Sequence, residues 1–218
     1  MREQKILAIF DFCDTIFDGQ SISYFLDYLE SRLPICKRLY SKIRKKINNI
    51  PSSESKRYKE YLLRVFKGMS KYELEKFSKE FFKSVVQKRL HTVVIEKMME
   101  HKKQGHIIII ASGGFENYLK YFANEYNIDY YFCTKLEFLN DRLTSKIDGN
   151  ECLGLEKVNQ LKQLDLNSYD LKNSYVYSDD QSDQPLFDLV GNKILVKNKQ
   201  NTNWADYRYI ILDVKSNA

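Results

Sequence analysis

The chain has only four cysteines among its 218 residues. Cys13, Cys36, Cys133 and Cys152 show neither paired spacing nor a metal-site pattern. A disulfide framework and a cysteine-held zinc are thereby excluded, and a reducing cytoplasm is the expected compartment. Histidine is scarcer still: His91, His101 and His106 lack ligand-like spacing and are expected in packing or at the surface. No stretch approaches the ~18 consecutive apolar residues of a membrane span, so no transmembrane segment is expected. The charged start, Met1-Arg-Glu-Gln-Lys5, is followed by an apolar run too short for a signal peptide. Internal repeats, low-complexity tracts and recognisable nucleic-acid motifs are also missing, and no nucleic-acid partner is expected.

What is present is a soluble globular composition, 43% hydrophobic and 29% charged, long enough for one sizeable core or for a core domain with an insertion. The net charge of +6 is uneven, with Lys and Arg crowded between Lys37 and Lys67. Such a patch suits nucleic acid, an anionic membrane surface or a phosphorylated substrate, and equally a solvated helical face.

The organising stretch is Lys5-Ile-Leu-Ala-Ile-Phe-Asp11-Phe-Cys-Asp14-Thr15. An apolar run that ends on an acidic residue suits a strand buried on both faces. In open parallel sheets, ligands bind just beyond the carboxyl ends of strands. A carboxylate at that edge can hold a hard cation, attack an electrophile, or simply open a helix as an N-cap.

After this loop, helices are predicted over 21–33, 35–47, 56–67 and 71–87, with a turn or linker at 48–55. Gly68 and Ser70 suit a C-cap and an N-cap. This helical stretch is too long for an ordinary crossover, so 17–88 is read as an inserted cap domain. Residues 1–16 and 89–218 then form the core. There the predicted order is helix 93–104, strand 107–111, helix 116–126, strand 129–133, a hairpin of 136–139 and 143–147, helix 155–164, strand 174–178, helix 185–189 and strand 193–196. The polar tail from Asn198 is expected to pack Trp204, Tyr207 and Tyr209 back on the body. Strands alternating with helices imply an α/β fold: a Rossmann-like, doubly wound parallel sheet.

Three predicted strand ends carry polar residues: Asp11, Ser112 followed by Gly113 and Gly114, and Asp179 with Asp183 four residues on. Lys157 lies near the start of its helix. Carboxylates from two strands can hold Mg²⁺, which leaves its other sites to water and substrate oxygens. Ser112 and freed backbone N–H groups can hold phosphate oxygens. Lys157 adds positive charge, and Asp11 is left as a nucleophile that forms an aspartyl-phosphate. Each residue alone has a commoner role, as a cap or a surface charge; the set in this order is far more specific.

The segments Phe10-Asp11-Phe-Cys-Asp-Thr15, Ile110-Ala-Ser112-Gly-Gly114, Asn150-Glu-Cys-Leu-Gly154-Leu-Glu-Lys157 and Tyr177-Ser-Asp179-Asp-Gln-Ser-Asp183-Gln-Pro185-Leu186 resemble the four motifs of the haloacid dehalogenase superfamily. The resemblance is to its phosphoserine-phosphatase-like branch, which carries a helical cap after the first motif. It implies Asp11 as nucleophile, Ser112 on the phosphate, Lys157 as charge neutraliser and Asp179 as Mg²⁺ ligand. Asp183 would support the metal, and the Cys13 carbonyl would be a further ligand. The implied partner is a small phosphorylated metabolite.

One departure stands out. Phosphatases of the family usually carry Asp-x-Asp-Gly-Thr, with the second Asp as general acid/base. Here Cys13 occupies that position and Asp14 stands where glycine is usual. A neutral thiol is a poor proton donor. Asp14 is a candidate replacement; a substrate with a good leaving group, or loss of hydrolysis, are the alternatives. The cap should choose the substrate, with Gly113, Asp18 and Gln20 as further binding candidates. A phosphomonoesterase is the first expectation. A phosphotransferase or dehalogenase-like hydrolase of the same fold, or a binding protein with a weakened site, are the rivals.

Overall fold

The computed structural model describes residues 4–46, 55–197 and 203–214. The expected turn at 48–55 lies outside these residues except at Ser55, and so do the side chains of the basic segment between 42 and 54.

The first strand, β1 (Leu7–Phe10), alternates its side chains between two apolar clusters. Ala8 and Phe10 join one, and Leu7 and Ile9 the other. All four are fully buried, as a central strand covered on both faces requires. Then come α1 (Ser21–Glu30), α2 (Ile35–Lys46), α3 (Ser55–Leu63) and α4 (Lys71–Ser84). A 3₁₀ turn, Arg64–Phe66, ends the predicted 56–67 helix early. Gly68 adopts φ +84°, and Ser70 caps α4 in a reciprocal capping box with Glu73.

The helix α5 (Thr92–Lys103) leads to β2 (Ile107–Phe115), which is followed by α6 (Glu116–Glu125). Next are β3 (Tyr130–Leu139), β4 (Arg142–Asp148), α7 (Leu155–Leu161), β5 (Tyr175–Ser178), α8 (Gln184–Phe187), β6 (Asn192–Lys197) and β7 (Tyr209–Asp213). These form one seven-stranded sheet in the order β4-β3-β2-β1-β5-β6-β7. Every pairing is parallel except the β3–β4 hairpin. The expected α/β, doubly wound architecture is therefore present. The chain builds outward from β1 on one side, then returns to place β5 on the other. The crevice between β1 and β5 is the topological switch point, where such sheets bind ligands.

Several local expectations are corrected. β2 runs beyond Ala111 to Phe115, through a register shift between Ser112 and Phe115. The segments at 129–133 and 136–139 are one strand, β3, because its second half pairs with β4. The tail supplies β7, whose Ile210 and Ile211 pair with β6 at the sheet edge. An edge strand needs only one covered face, so its apolar pattern is short. Trp204 and Tyr209 pack on Phe187, but Tyr207 is fully exposed.

The helical stretch leaves and rejoins the core at one place. His91 N–H donates to the Ile16 carbonyl and Asp18 N–H to the Arg89 carbonyl, each at 2.8 Å. Its apolar side chains are not isolated. Phe25 and Phe81 meet Tyr118 of α6 at centroid distances of 5.0 and 5.3 Å, within the same cluster as Phe10. Backbone bonds also tie it to the hairpin, from Gly68 to Leu143 and from Lys71 to Asp141. Among the described residues, no helix is long and apolar enough to cross a membrane.

Beneath the crevice, Phe10 stacks on Tyr177, and buried His101 bonds the Tyr177 hydroxyl and His106, each at 2.8 Å. Burial, with His106 nearby, lowers His101 to about 4. The folded protein thus holds a neutral ring while the unfolded chain gains a proton. Stability should be full above pH ~6.5 and fall as the pH drops toward 4, by roughly 2 kcal/mol from this group. Urea unfolding at pH 7 and 4.5 should show His101→Gln losing less over that interval than the wild type. An equal loss would exclude His101 as the source.

Candidate active site

Residues 146 apart in sequence meet at the switch point. Asp11 follows β1 directly, and its N–H donates to the Tyr177 carbonyl at 2.9 Å, which registers it against the end of β5. Asp179 follows β5 in the same way. Lys157 comes from the first turn of α7, which starts after Gly154 at φ +51°. That glycine lies close to the Ser182 carbonyl, where an added Cβ would sit 3.2 Å away. The turn can therefore approach the loop that carries Asp183.

The Lys157 ammonium bridges two carboxylates, at 2.7 Å from Asp11 Oδ1 and 2.6 Å from Asp183 Oδ2. All three groups are buried. Burial alone would lower the Lys157 ammonium, but Asp11 and Asp183 reverse that and hold it above its ordinary value. Burial pushes Asp11 up to about 6; Lys157 opposes the rise and the Asp183 charge adds to it. Asp179 is pushed up to about 8, first by burial and then by the Asp11 charge, against a hydrogen bond from Thr15 Oγ1 at 3.0 Å. Ser178 Oγ donates to Asp183 Oδ2.

Asp11, Lys157, Asp179 and Asp183 line a cleft of about 230 Å³ together with Cys13, Gln20, Ser112, Gly113 and Asp180. Ser112 is fully buried, and its Oγ accepts from Gly114 N–H at 3.1 Å, across the irregular end of β2. Cys13 Sγ lies 3.0 Å from Ser21 Oγ, which is 2.6 Å from the Tyr118 hydroxyl. Burial, then the Asp11 charge, pushes the Cys13 thiol up to about 11.

Two sequence candidates stand elsewhere. Asp14 adopts φ +53°, the left-handed region glycine enters freely, and Gln20 Nε2 donates to its Oδ2 at 2.6 Å. It does not line the cleft. Asp18 does not either; it pairs with Arg89 at 3.3 Å. Thr15, Ser178 and the apolar cleft residues Ile22, Leu26, Tyr58, Leu62 and Leu153 were not among the candidates. Thr15 and Ser178 flank the motif aspartates, which is a readable signal. The apolar residues carry none, since helical spacing marks them only as apolar.

Among the described residues, no ready-made cluster of three His, Cys, Asp or Glu groups surrounds a metal position. The donor chemistry nevertheless suits a hard divalent cation, which needs only one or two carboxylates. Asp11, Asp179 and Asp183 are three buried carboxylates beside one buried ammonium. Asp183 Oδ1 is buried with no hydrogen-bond partner. A cation would relieve both conditions.

Replacing Lys157 by Met strands Asp11 and Asp183 without a counter-charge, which should cost about 3–5 kcal/mol at pH 8. The freed carboxylates then hold protons more tightly in the folded state than in the unfolded chain. The loss should therefore shrink toward pH 5. Chemical denaturation of both proteins at the two pH values measures it, and a pH-independent loss would contradict the ion triad.

The chain matches the haloacid dehalogenase-like hydrolase family model over residues 8–188. Among solved structures, a protein of unknown function from Bordetella pertussis Tohama I has a TM-score of 0.74 at 20% identity, covering 89% of this chain and 91% of that one. Phosphoserine phosphatase in its apo form gives 0.64 at 19% identity, over 89% and 86%. A phospho-aspartyl intermediate analogue of phosphoserine phosphatase gives 0.62 at 19%, over 89% and 87%. At such identities the likeness establishes a shared fold. No curated protein matches the chain. Because the family match spans both strand-end aspartates and the lysine between them, the chain belongs to the haloacid dehalogenase-like hydrolases.

Proposed function

We propose that the protein is a Mg²⁺-dependent phosphatase of small phosphomonoesters that works through a phospho-aspartate on Asp11. The observation that carries this reading is the shared cleft: Asp11, Ser112, Lys157, Asp179 and Asp183 all line it. The solved phosphoserine phosphatases, one of them with a phospho-aspartyl intermediate analogue, add support through the common fold.

Lys157 holds Asp11 Oδ1, which fixes the carboxylate and leaves Oδ2 to attack phosphorus. The bond from phosphorus to the alcohol oxygen breaks, and the departing oxygen takes a proton from water. Water then attacks the phosphorus of phospho-Asp11, releasing phosphate and restoring the carboxylate. Ser112 Oγ and the Gly113 N–H bind phosphoryl oxygens, the Gly114 N–H being spent on Ser112 Oγ, and the Lys157 ammonium offsets their charge. Asp11, Asp179, Asp183 and the Cys13 carbonyl would hold Mg²⁺, which supplies Lewis-acid charge to the phosphoryl group when bound.

Proton delivery to the leaving oxygen is the weak step. Cys13 keeps its proton, with a thiol near 11, and Asp14 is occupied by Gln20. Substrates with weakly basic leaving oxygens, such as aryl esters and the mixed anhydrides of acyl phosphates, should thus be turned over faster than simple alkyl esters. Cys13 thus narrows the range of leaving groups and does not abolish hydrolysis.

A phosphate-release assay with Mg²⁺ tests the proposal. Asp11→Asn should lower turnover at least ~10³-fold, while Cys13→Asp should raise turnover of alkyl esters by roughly 10²-fold and of p-nitrophenyl phosphate by less. Asp14→Asn should stay within about threefold of wild type; a deeper loss would return the acid role to Asp14. Equal background rates for wild type and Asp11→Asn across a substrate panel would end the phosphatase reading.

A further inference from the structure

We infer that the cleft selects a phosphomonoester whose alcohol carries an uncharged, mostly apolar body; this rests on the phosphatase reading above. The phosphate end of the cleft is polar, but the described helical cap lines the rest with Ile22 and Leu26 of α1 and Tyr58 and Leu62 of α3. From the core, Leu153 joins them. Leu153 lies over the Gly113 backbone, so closely that a Cβ built on Gly113 would come within 2.4 Å of its Cδ2. It forms apolar wall directly beside the phosphate-binding turn.

The cation and the amide donor on the cap side are already engaged. Lys59 is the cation that the described cap residues contribute to the cleft, and its Nζ sits 2.5 Å from Glu151 Oε1. Both side chains are largely buried, so this pair presents no net charge to a ligand. Gln20 Nε2 is committed to Asp14. A substrate with a carboxylate and an ammonium on its alcohol portion would lose the hydration of both charges and meet, among the described cap residues of the cleft, a lysine already paired and the neutral Ser23 hydroxyl and Gln20 Oε1. An alkyl or aryl body loses no such hydration and gains contact with five apolar side chains.

Calorimetric titration of the intact protein in Mg²⁺ buffer with non-hydrolysable phosphonates reads this directly. Methyl-, butyl- and hexylphosphonate should bind progressively tighter, by about two- to fourfold per methylene, so that hexyl exceeds methyl about 30-fold or more. The zwitterion 2-amino-3-phosphonopropionate should bind no tighter than methylphosphonate. Leu62→Asn, and separately the half-exposed Tyr58→Ser, should each cut the hexyl-to-methyl ratio about fivefold. A flat series, or tightest binding by the zwitterion, overturns the inference. The matching phosphate esters, assayed for phosphate release, separate the two claims. A graded phosphonate series with no ester turnover keeps the apolar subsite and removes the phosphatase. Turnover with a flat phosphonate series does the reverse.

Discussion

One buried ammonium holds the centre of this molecule together. Lys157 reaches from α7 to a carboxylate after β1 and another in the loop after β5. None of the three groups would tolerate its burial alone, since an unpaired charge in a dry interior is strongly disfavoured. The triad therefore requires that β1, β5 and α7 sit side by side. The sheet supplies that placement: β1 and β5 are parallel neighbours, and their carboxyl ends open on the same edge.

The pairing does not neutralise the site. Asp179 stands close enough to feel Asp11, and it is raised far from an ordinary carboxylate. A centre with more buried acid than base is poorly balanced by protein groups alone. It is suited to an incoming cation and to a substrate whose oxygens share it. That imbalance is the electrostatic feature a hydrolase of phosphate esters needs, because charge must be gathered before the nucleophile can approach an anionic phosphoryl group.

The helices α1 to α4 are bound to this centre by packing and by backbone. Aromatic contacts between Phe25, Phe81 and Tyr118 make their apolar side continuous with the core. The loop at Gly68 is laced to the β3–β4 hairpin. The cleft is thus a seam between two parts of one apolar cluster. Its polar floor comes from strand ends and its apolar wall largely from helices, so in the proposed reaction phosphate chemistry and selection of the alcohol would fall to different elements.

Much of this was legible in the residues themselves. The run Leu7–Phe10 ending on Asp11, the capped start of α4 and the order of the four motifs are local patterns, and local patterns survive in a one-dimensional reading. The aspartates, the lysine and Ser112 could be named because each stands at the edge of an apolar run or a glycine turn. What the sequence alone could not decide is which way a side chain turns once its backbone is set. Asp14 and Cys13 are neighbours, yet a left-handed backbone and Gln20 draw Asp14 aside, while Cys13 lines the cleft and joins Ser21 and Tyr118. The strand β7 and the apolar wall were invisible for a related reason. Their roles come from partners far along the chain, and no spacing within a segment records what will pack against it. Local periodicity determined the elements and the order of the chemical groups; only long-range packing decided which groups face one another.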